Sequence, residues 1–229
     1  MKRRVEPELL DTLPPGDPRA VRSRQDLCRV NAWMGNPMIM ANALKKSAGV
    51  NPVASILELG AGDGCFLLAV ARRLSASWAG LKAAALDRQL DISPATSAAF
   101  ADLRWELTAI TADVFDWAPP ADGQSAILAN LFLHHFADDQ LAELLRKIAG
   151  GTRLFIAVEP RRMPWPALGG WLLALIGCND VTRHDGTLSI RASFTGREIS
   201  GLWPEPHRWH LTEKRSGFFS HLFIARRLD

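Results

Sequence analysis

Residues 56–64 read Ile-Leu-Glu-Leu-Gly-Ala-Gly-Asp-Gly, an apolar segment that runs into a glycine-rich turn. The apolar segment predicts a buried strand, and the residues that follow it predict a helix over 64–74. Glycine adopts positive φ and lets a ligand lie against bare backbone, while the first N–H groups of a helix carry a partial positive charge. The turn is therefore predicted to bind a ligand that carries a phosphate or a carboxylate.

The spacing of the glycines separates two kinds of nucleotide-binding loop. A dinucleotide-binding loop has its third glycine three positions after the second, but here position 65 is Cys65 and the third glycine, Gly64, comes early. The spacing therefore disfavours NAD as the ligand.

The run Glu58-Leu-Gly60-Ala61-Gly62-Asp-Gly64 resembles the first motif of the class I S-adenosylmethionine (SAM)-dependent methyltransferases. In that family the loop passes under the methionine part of the cofactor. The resemblance implies that SAM is the cofactor and that Glu58, Gly60, Ala61 and Gly62 belong to its binding site.

The rest of the chain alternates short apolar runs with helical segments, which indicates an α/β fold with a doubly wound, mostly parallel sheet. Strands are predicted near 54–59, 81–87, 104–110, 125–131 and 152–159. A C-terminal antiparallel hairpin is predicted from 209–215 and 219–226, joined at Ser216-Gly217. The methyltransferase family ends its seven-stranded sheet with such a reversed pair, so the resemblance covers roughly residues 50–229.

The chain is predicted to divide into two parts, and a segment of the second part lies over the sheet. Residues 1–48 form an N-terminal arm and helical cap: residues 1–20, rich in proline, predict an irregular arm, and 21–48 predict helices broken near Gly35. Residues 49–229 form the SAM-binding domain, in which about 160–205 are a substrate-cover segment. This segment is predicted to contain an apolar helix near 165–176, a polar loop over 179–186, and a helix opened by a capping box at Thr195-Gly-Arg-Glu198.

Polar side chains follow the predicted strands at their carboxyl ends, where an open parallel sheet binds ligands. Glu58, Asp87 and Asn130 end the first, second and fourth strands, and Asp113-Val114 follows the third. A carboxylate at Asp87 can accept hydrogen bonds from both ribose hydroxyls. A carboxylate at Asp113 can accept a hydrogen bond from an exocyclic amine. In the methyltransferases these two positions bind the ribose and adenine of SAM, and the backbone around Asn130 approaches the methionine. Asp113 as a turn or cap residue, and Asp87 as the acid of a NAD enzyme, are the alternatives.

Two adjacent histidines, His134 and His135, follow the fourth strand, near where an acceptor would meet the methyl group. A histidine there can act as general base because its ordinary pKa is close to neutrality. His135 is therefore a candidate base and His134 a candidate acceptor-binding residue. Many members of the family show a similar pair, which favours the alternative that it builds the turn.

The predicted cover contains Arg183-His184-Asp185, where a base, His184, has an orienting carboxylate beside it. We predict His184 as a catalytic residue and Arg183 as an acceptor-binding residue. Trp171 of the apolar helix is a further candidate for acceptor binding. A solvated polar turn and ordinary core packing explain the same residues without a role in the site.

Several classes of function are disfavoured by the composition. The net charge is +3, without a basic stripe interleaved with aromatic residues, so nucleic acid is not expected as a partner. Cys28, Cys65 and Cys178 lie far apart and in no metal spacing, so neither a disulfide framework nor a metal site is expected. The metal-dependent catechol methyltransferases carry an aspartate where Asn130 stands, which again implies no metal. No apolar run is long enough to span a bilayer, and a cytoplasmic location is expected.

The sequence and the resemblance together predict SAM-dependent methyl transfer to a small, hydrophobic or phenolic metabolite. O- or C-methylation in bacterial secondary metabolism is the expected setting, with the small-molecule acceptor as the partner. The alternatives are a SAM-binding cyclase accessory or regulatory module without methyl transfer and, disfavoured by the glycine spacing, a NAD(P)-dependent oxidoreductase.

Overall fold

A computed structural model describes residues 2–14, 16–48, 53–119 and 126–228. Its centre is a seven-stranded sheet with the order β3-β2-β1-β4-β5-β7-β6. The first five strands are parallel, and β7 runs antiparallel between β5 and β6. The predicted fold is confirmed. The strands β1 to β7 are Ser55–Leu59, Lys82–Asp87, Glu106–Thr111, Ala126–Asn130, Leu154–Pro160, Trp209–Ser216 and Ser220–Arg227.

The α-helices of the described residues lie on both faces of this sheet and above its carboxyl edge. Successive side chains of a strand point to opposite faces, so Ile56 joins one hydrophobic core and Leu57 the other. The helices α1 to α9 are Leu9–Thr12, Pro18–Met34, Asn36–Ala48, Cys65–Leu74, Pro94–Asp102, Asp138–Gly151, Pro166–Leu175, Asp180–Ala192 and Glu198–Leu202.

The break predicted near Gly35 is confirmed, because Gly35 ends α2 in the left-handed conformation with φ of 73°. Directly after it, Asn36 begins α3. The side-chain amides of Asn31, Asn36 and Asn130 are buried together at this elbow, where Asn36 Nδ2 and Asn130 Nδ2 both donate to Asn31 Oδ1. Asn36 Nδ2 also donates to Asn130 Oδ1, and Ser220 Oγ donates to Asn36 Oδ1. These bonds tie the helical cap to β4 and β7.

The prediction of a polar loop over 179–186 is wrong, because helix α8 covers most of it. Asn179 is the N-cap, and its side chain accepts a hydrogen bond from the Thr182 N–H at 2.9 Å. Gly186 lies inside the helix, where the Leu173 side chain of α7 occupies the space that a Cβ would need. The polar residues of this segment therefore divide between the two faces of a helix.

Two smaller boundaries also differ from the sequence prediction. Helix α9 begins at Glu198 rather than after Thr195, and half of the capping box forms, since the Glu198 carboxylate accepts from the Thr195 N–H at 2.9 Å. The hairpin link between β6 and β7 has three residues, 217–219, instead of two.

The N-terminal arm, residues 2–8, is irregular as predicted, but it packs against the body of the protein, so its prediction as an unpacked segment is wrong. Arg3 donates to the carbonyl oxygens of Phe136 and Ala192 at 2.6 and 2.7 Å. Helices α1 and α2 follow within the predicted arm, α2 beginning at Pro18. Pro15 lies outside the described residues, as do residues 49–52, where the border between the predicted parts 1–48 and 49–229 falls.

Cys28 and Cys65 form a disulfide, which contradicts the expectation that the cysteines are unpaired. The pair joins α2 to the first residue of α4, because α2 folds back onto the glycine-rich turn. A separation of 37 residues gives no sign of this proximity in the sequence. Cys178 is buried and unpaired. In the part of the chain that the structure describes, no helix has the length and apolar character needed to cross a membrane.

Candidate active site

A cavity of about 660 Å³ lies at the carboxyl edge of the sheet, beneath α1, α2, α7 and α8. Ten of the residues predicted from the sequence line it: Glu58, Gly60, Ala61, Gly62, Asp87, Asp113, Val114, Asn130, His134 and His135. His184, Arg183 and Trp171 are not part of its wall. The strand-end residues are thus brought together, whereas the three candidates on the cover are not.

The glycine loop, residues 60–64, is shaped by three glycines with φ of 71°, 54° and 73°. A Cβ on Gly60 would collide with the Phe132 ring, so only glycine fits there. Asp87 braces the loop from β2: its Oδ2 accepts from the Gly62 N–H at 2.9 Å, and its Oδ1 from the Gln89 N–H at 2.8 Å. The loop therefore exposes backbone to the cavity in a fixed conformation.

Glu58 lies one residue before the end of β1, under this loop, and is buried. Burial raises the pKa of its carboxyl well above the ordinary value, and the nearby charges of Asp63 and Asp87 raise it further. Its Oε2 atom has no hydrogen-bond partner among the described residues. Burying a polar atom without a partner costs free energy, so this oxygen is suited to receive a donor from a ligand.

Asp113 lies in the turn after β3, and its two oxygens fit the two predicted roles, one in the turn and one in cofactor binding. Its Oδ1 accepts from the Phe115 N–H at 2.9 Å, which is a turn role. Its Oδ2 lies 3.8 Å from Arg88 Nη1, and the residue lines the cavity. One oxygen builds the turn and the other is left for a ligand or for Arg88.

His134 is buried between two carboxylates. Its Nδ1 lies 2.7 Å from Glu159 Oε2, and its Nε2 lies 3.5 Å from Glu8 Oε1. Burial lowers the pKa of this imidazole, but the contacts with Glu159 and Glu8 outweigh burial and raise it to about 9. Burial likewise raises the pKa of Glu8, but the contacts with His134, His135 and Ser189 together outweigh it and bring the value down to about 2. Near neutral pH the three groups form an ion triad.

His135 borders the same cavity with a side chain that is 26% exposed. Its Nδ1 lies 3.4 Å from Asp11 Oδ2, and its Nε2 lies 3.9 Å from Glu8 Oε2. A carboxylate oxygen of Glu8 and ring nitrogens of His134 and His135 lie within 4.8 Å of one another, a spacing at which they could share a metal ion. Carboxylates, however, already face both nitrogens of His134. The expectation that no metal is needed stays a prediction.

The sequence candidates on the cover point away from the cavity. The His184 side chain is 51% exposed although its Nδ1 lies 3.1 Å from Asp185 Oδ1, and Arg183 is exposed beside it. Asp185 faces inward and accepts from the Leu9 and Leu10 N–H groups at 2.8 and 2.9 Å. The helix explains this result, because neighbouring residues of a helix project in different directions.

Helix α7 turns other residues toward the cavity than the predicted Trp171. It packs on α8 at Gly169 and Gly170, where a Cβ would meet Ile190 and Thr187. Trp171 lies on the opposite side and is 59% exposed, while Leu172 and Leu173 line the cavity. The predicted acceptor-binding role of Trp171 is therefore not supported.

Two important residues were missed by the sequence analysis. Glu159 lies near the end of β5, and the strand-end rule that selected Glu58 and Asp87 would have identified it. Glu8 lies in the proline-rich arm, and nothing in its sequence surroundings marks it. Its position depends on contacts with residues more than a hundred positions away.

Known proteins share this fold and part of this sequence. A family model described as an O-methyltransferase domain matches residues 25–155, more than half of the chain. The plantazolicin methyltransferase BpumL, solved in complex with SAH, has a TM-score of 0.65 and 15% identity, over 93% of this chain and 92% of that chain. No protein of curated function matches the chain by sequence.

Two further solved structures are longer than this chain. A putative O-methyltransferase from Nostoc punctiforme has a TM-score of 0.61 and 15% identity, over 90% of this chain and 60% of that chain. The N,N-8-amino-8-demethyl-D-riboflavin dimethyltransferase from Streptomyces davawensis has a TM-score of 0.61 and 16% identity, over 97% and 62%. At such identities these structures show the fold alone. The family match extends from within α2 to the start of β5 and includes the glycine loop, so the chain belongs to the O-methyltransferase domain family and is a SAM-dependent methyltransferase.

Proposed function

We propose that this methyltransferase acts on a hydroxyl group of a small, hydrophobic or phenolic metabolite. The observation that carries the proposal is the single cavity that joins the glycine loop to His135 under an apolar roof. Ligand sites of small molecules are concave and mostly apolar, with a few polar groups that fix orientation. The roof is formed by Leu27, Val30, Met34, Met163, Leu172, Leu173 and Ile190.

The residues at the glycine-loop end fit SAM. The bare backbone at Gly62, beside which a Cβ would meet only open space, and the unpartnered Oε2 of Glu58 offer a cradle and an acceptor, and Asp87 and Asp113 lie at the next two strands. SAM supplies an electrophilic methyl group on its sulfonium when it is bound. We propose that Glu58, Gly60, Ala61, Gly62, Asp87, Asp113, Val114 and Asn130 hold it.

The residues at the other end orient the acceptor and take up its proton. Holding two reactants together in a closed cavity supplies the entropic part of catalysis. His134 is a poor candidate for the base because its side chain is buried, its Nδ1 lies 2.7 Å from Glu159 Oε2, and its raised pKa keeps it protonated near neutral pH. We propose that His135 removes the acceptor proton and that Asp11 and Glu8 stabilise the imidazolium that results.

The experiment compares His135→Ala with His184→Ala, using a panel of phenols and other small hydroxylated compounds and mass spectrometry of the products. His135→Ala should lower the turnover rate by ~10² to 10⁴ and leave SAM affinity nearly intact, as expected for a positioned base. His184→Ala is the control, because His184 lies outside the cavity.

Normal turnover by a folded His135→Ala variant would contradict the base assignment. SAM binding without methyl transfer to any acceptor would instead favour the alternative of an accessory or regulatory module. A methylated carbon in the product would move the reaction from O- to C-methylation.

We also propose that acceptor binding and SAM binding belong to different parts of the chain. Residues 1–48 and about 160–205 shape the acceptor end, and the remainder of 49–229 binds SAM. BpumL, which has a similar fold, was solved in complex with a monoazolic desmethylPZN analog and SAH, and this supports an acceptor site beside the cofactor site. The absence of a nucleic acid partner and the cytoplasmic location remain predictions.

A further inference from the structure

The N-terminal arm is fastened to the body of the protein by Arg3. Its guanidinium donates to Asp138 Oδ1 and to the Ala192 carbonyl oxygen, both at 2.7 Å, and lies 4.6 Å from the centre of the Phe194 ring. It also donates to the Phe136 carbonyl oxygen at 2.6 Å, at the end of the turn that carries both histidines. The arm thus begins at a fixed point beside the histidine turn.

A second anchor follows the arm. The carboxylate of Asp185 on α8 accepts from the Leu9 and Leu10 N–H groups and so caps the first turn of α1. Asp185 is itself buried. Because Arg3 lies before Glu8 and this cap follows directly after it, the backbone of Glu8 is held from both sides.

Between the two anchors, the Glu8 carboxylate faces both imidazoles of the histidine pair. Its Oε1 lies 3.5 Å from His134 Nε2, and its Oε2 lies 3.9 Å from His135 Nε2. Ser189 Oγ donates to Oε1 at 2.6 Å and fixes the carboxylate from α8. The group is mostly buried and lies in the cavity wall.

We propose that Glu8 is a positioning residue for the methyl transfer proposed above, on which this inference rests, and that the acceptor end of the site is complete only while the arm is fastened. The carboxylate faces the ring of His135 at 3.9 Å, a charge contact rather than a hydrogen bond, and orients the ring by attracting the charge that it gains with the acceptor proton. A base must come within hydrogen-bond reach of the proton, and a displacement of 1 Å can cost about a hundredfold in rate.

The test uses full-length protein and the acceptor found for the wild type. Glu8→Gln keeps the size of the side chain and removes its charge, and Glu8→Asp keeps the charge on a shorter side chain. Arg4→Gln is the matched control on the same arm, since the Arg4 side chain is 72% exposed and pairs with Glu6. For each variant kcat, KM for the acceptor, SAM affinity and melting temperature are measured.

We expect Glu8→Gln to lower kcat by about 10- to 100-fold with little change in SAM affinity, and Glu8→Asp to recover part of the loss. A purely structural role would lower kcat and SAM binding together, as the folded fraction falls. Arg3→Ala loosens the arm without removing a carboxylate from either histidine, and its kcat should fall in the same direction.

Wild-type kcat in a folded Glu8→Gln or Arg3→Ala variant would overturn the inference and leave the proposed function standing. If Glu8→Gln does not fold, the result with Arg3→Ala decides. Failure of the wild type to methylate any acceptor would overturn the proposed function, and the positioning role with it.

Discussion

The glycine loop and the cover above it, formed by the arm with α1, α2, α7 and α8, face each other across one cavity but are built by different kinds of contact. The brace from Asp87 to Gly62 spans 25 residues and connects neighbouring strands of one sheet. The cap from Asp185 to Leu9 spans 176 residues, and the bond from Arg3 to Ala192 spans 189. A loop held by local contacts leaves a readable motif, whereas a cover held by contacts between the arm and the distant helix α8 leaves none.

The largest expected effect concerns the Cys28–Cys65 disulfide, which joins the cover to the glycine loop. Cys28→Ser should lower the free energy of unfolding by about 4 kcal/mol, because the crosslink restricts the unfolded chain. Denaturant titration of oxidised and reduced protein measures it, with Cys178→Ser as the control. Equal midpoints for oxidised and reduced protein would show that the two regions are not tied together in solution.

The next effect tests the loop region alone. Asp87→Ala should weaken SAM binding at least tenfold, since one charge-assisted hydrogen bond is worth about 1.5 to 3 kcal/mol. Calorimetry measures the affinity, and Asp102→Ala, an exposed aspartate at the end of α5, serves for comparison. Unchanged affinity would place Asp87 outside the cofactor contacts. NAD and NADP should fail to raise the melting temperature that SAM raises.

A smaller and local effect is expected on the cover. Asp185→Ala removes the cap of α1 at a cost of about 1 to 2 kcal/mol, and the loss should appear as faster hydrogen exchange at residues 9–12. SAM affinity should stay near that of the wild type. Asp180→Ala on the exposed side of α8 is the matched variant. If SAM affinity falls with Asp185→Ala, the cover and the loop are more strongly coupled than their contacts indicate.

The smallest effect is expected for Trp171→Ala, which should change stability by less than about 0.5 kcal/mol because the side chain is largely exposed. KM for the acceptor should be unchanged, whereas Leu172→Ala, inside the cavity, should raise it. An increased KM in Trp171→Ala would mean that the acceptor reaches the outer face of α7.

The sheet and the loop end of the site were predictable because their signals are periodic and local. Apolar runs placed β1 to β5, and the strand-end rule brought Glu58, Asp87 and Asp113 to one edge. The reversed hairpin was expected from its turn, although the turn is one residue longer than predicted. A loop was expected over 179–186, but Asn179 caps a helix there. The sequence did not reveal it, because a string of polar residues does not show that one face of the helix is buried.

The acceptor end was not predictable for the same physical reason. Glu8 has no neighbour in sequence that indicates a carboxylate between two imidazoles, and Cys28 has none that indicates Cys65. The sequence favoured His184 over His135 as the base, because a histidine pair like His134-His135 is common in the turn of the family. The helical geometry of α8 leaves the His184 side chain facing solvent, whereas His135 borders the cavity.

The buried side-chain amides of Asn31, Asn36 and Asn130 make the elbow of the helical cap rigid. Asn36 and Asn130 both donate and accept, so rotation of either one leaves polar atoms of its neighbours unpaired, at about 1 to 3 kcal/mol for each atom. A hinge at this elbow would be costly. The angle between α2 and α3 is therefore fixed from the sheet, through Asn130 at the end of β4 and Ser220 at the start of β7.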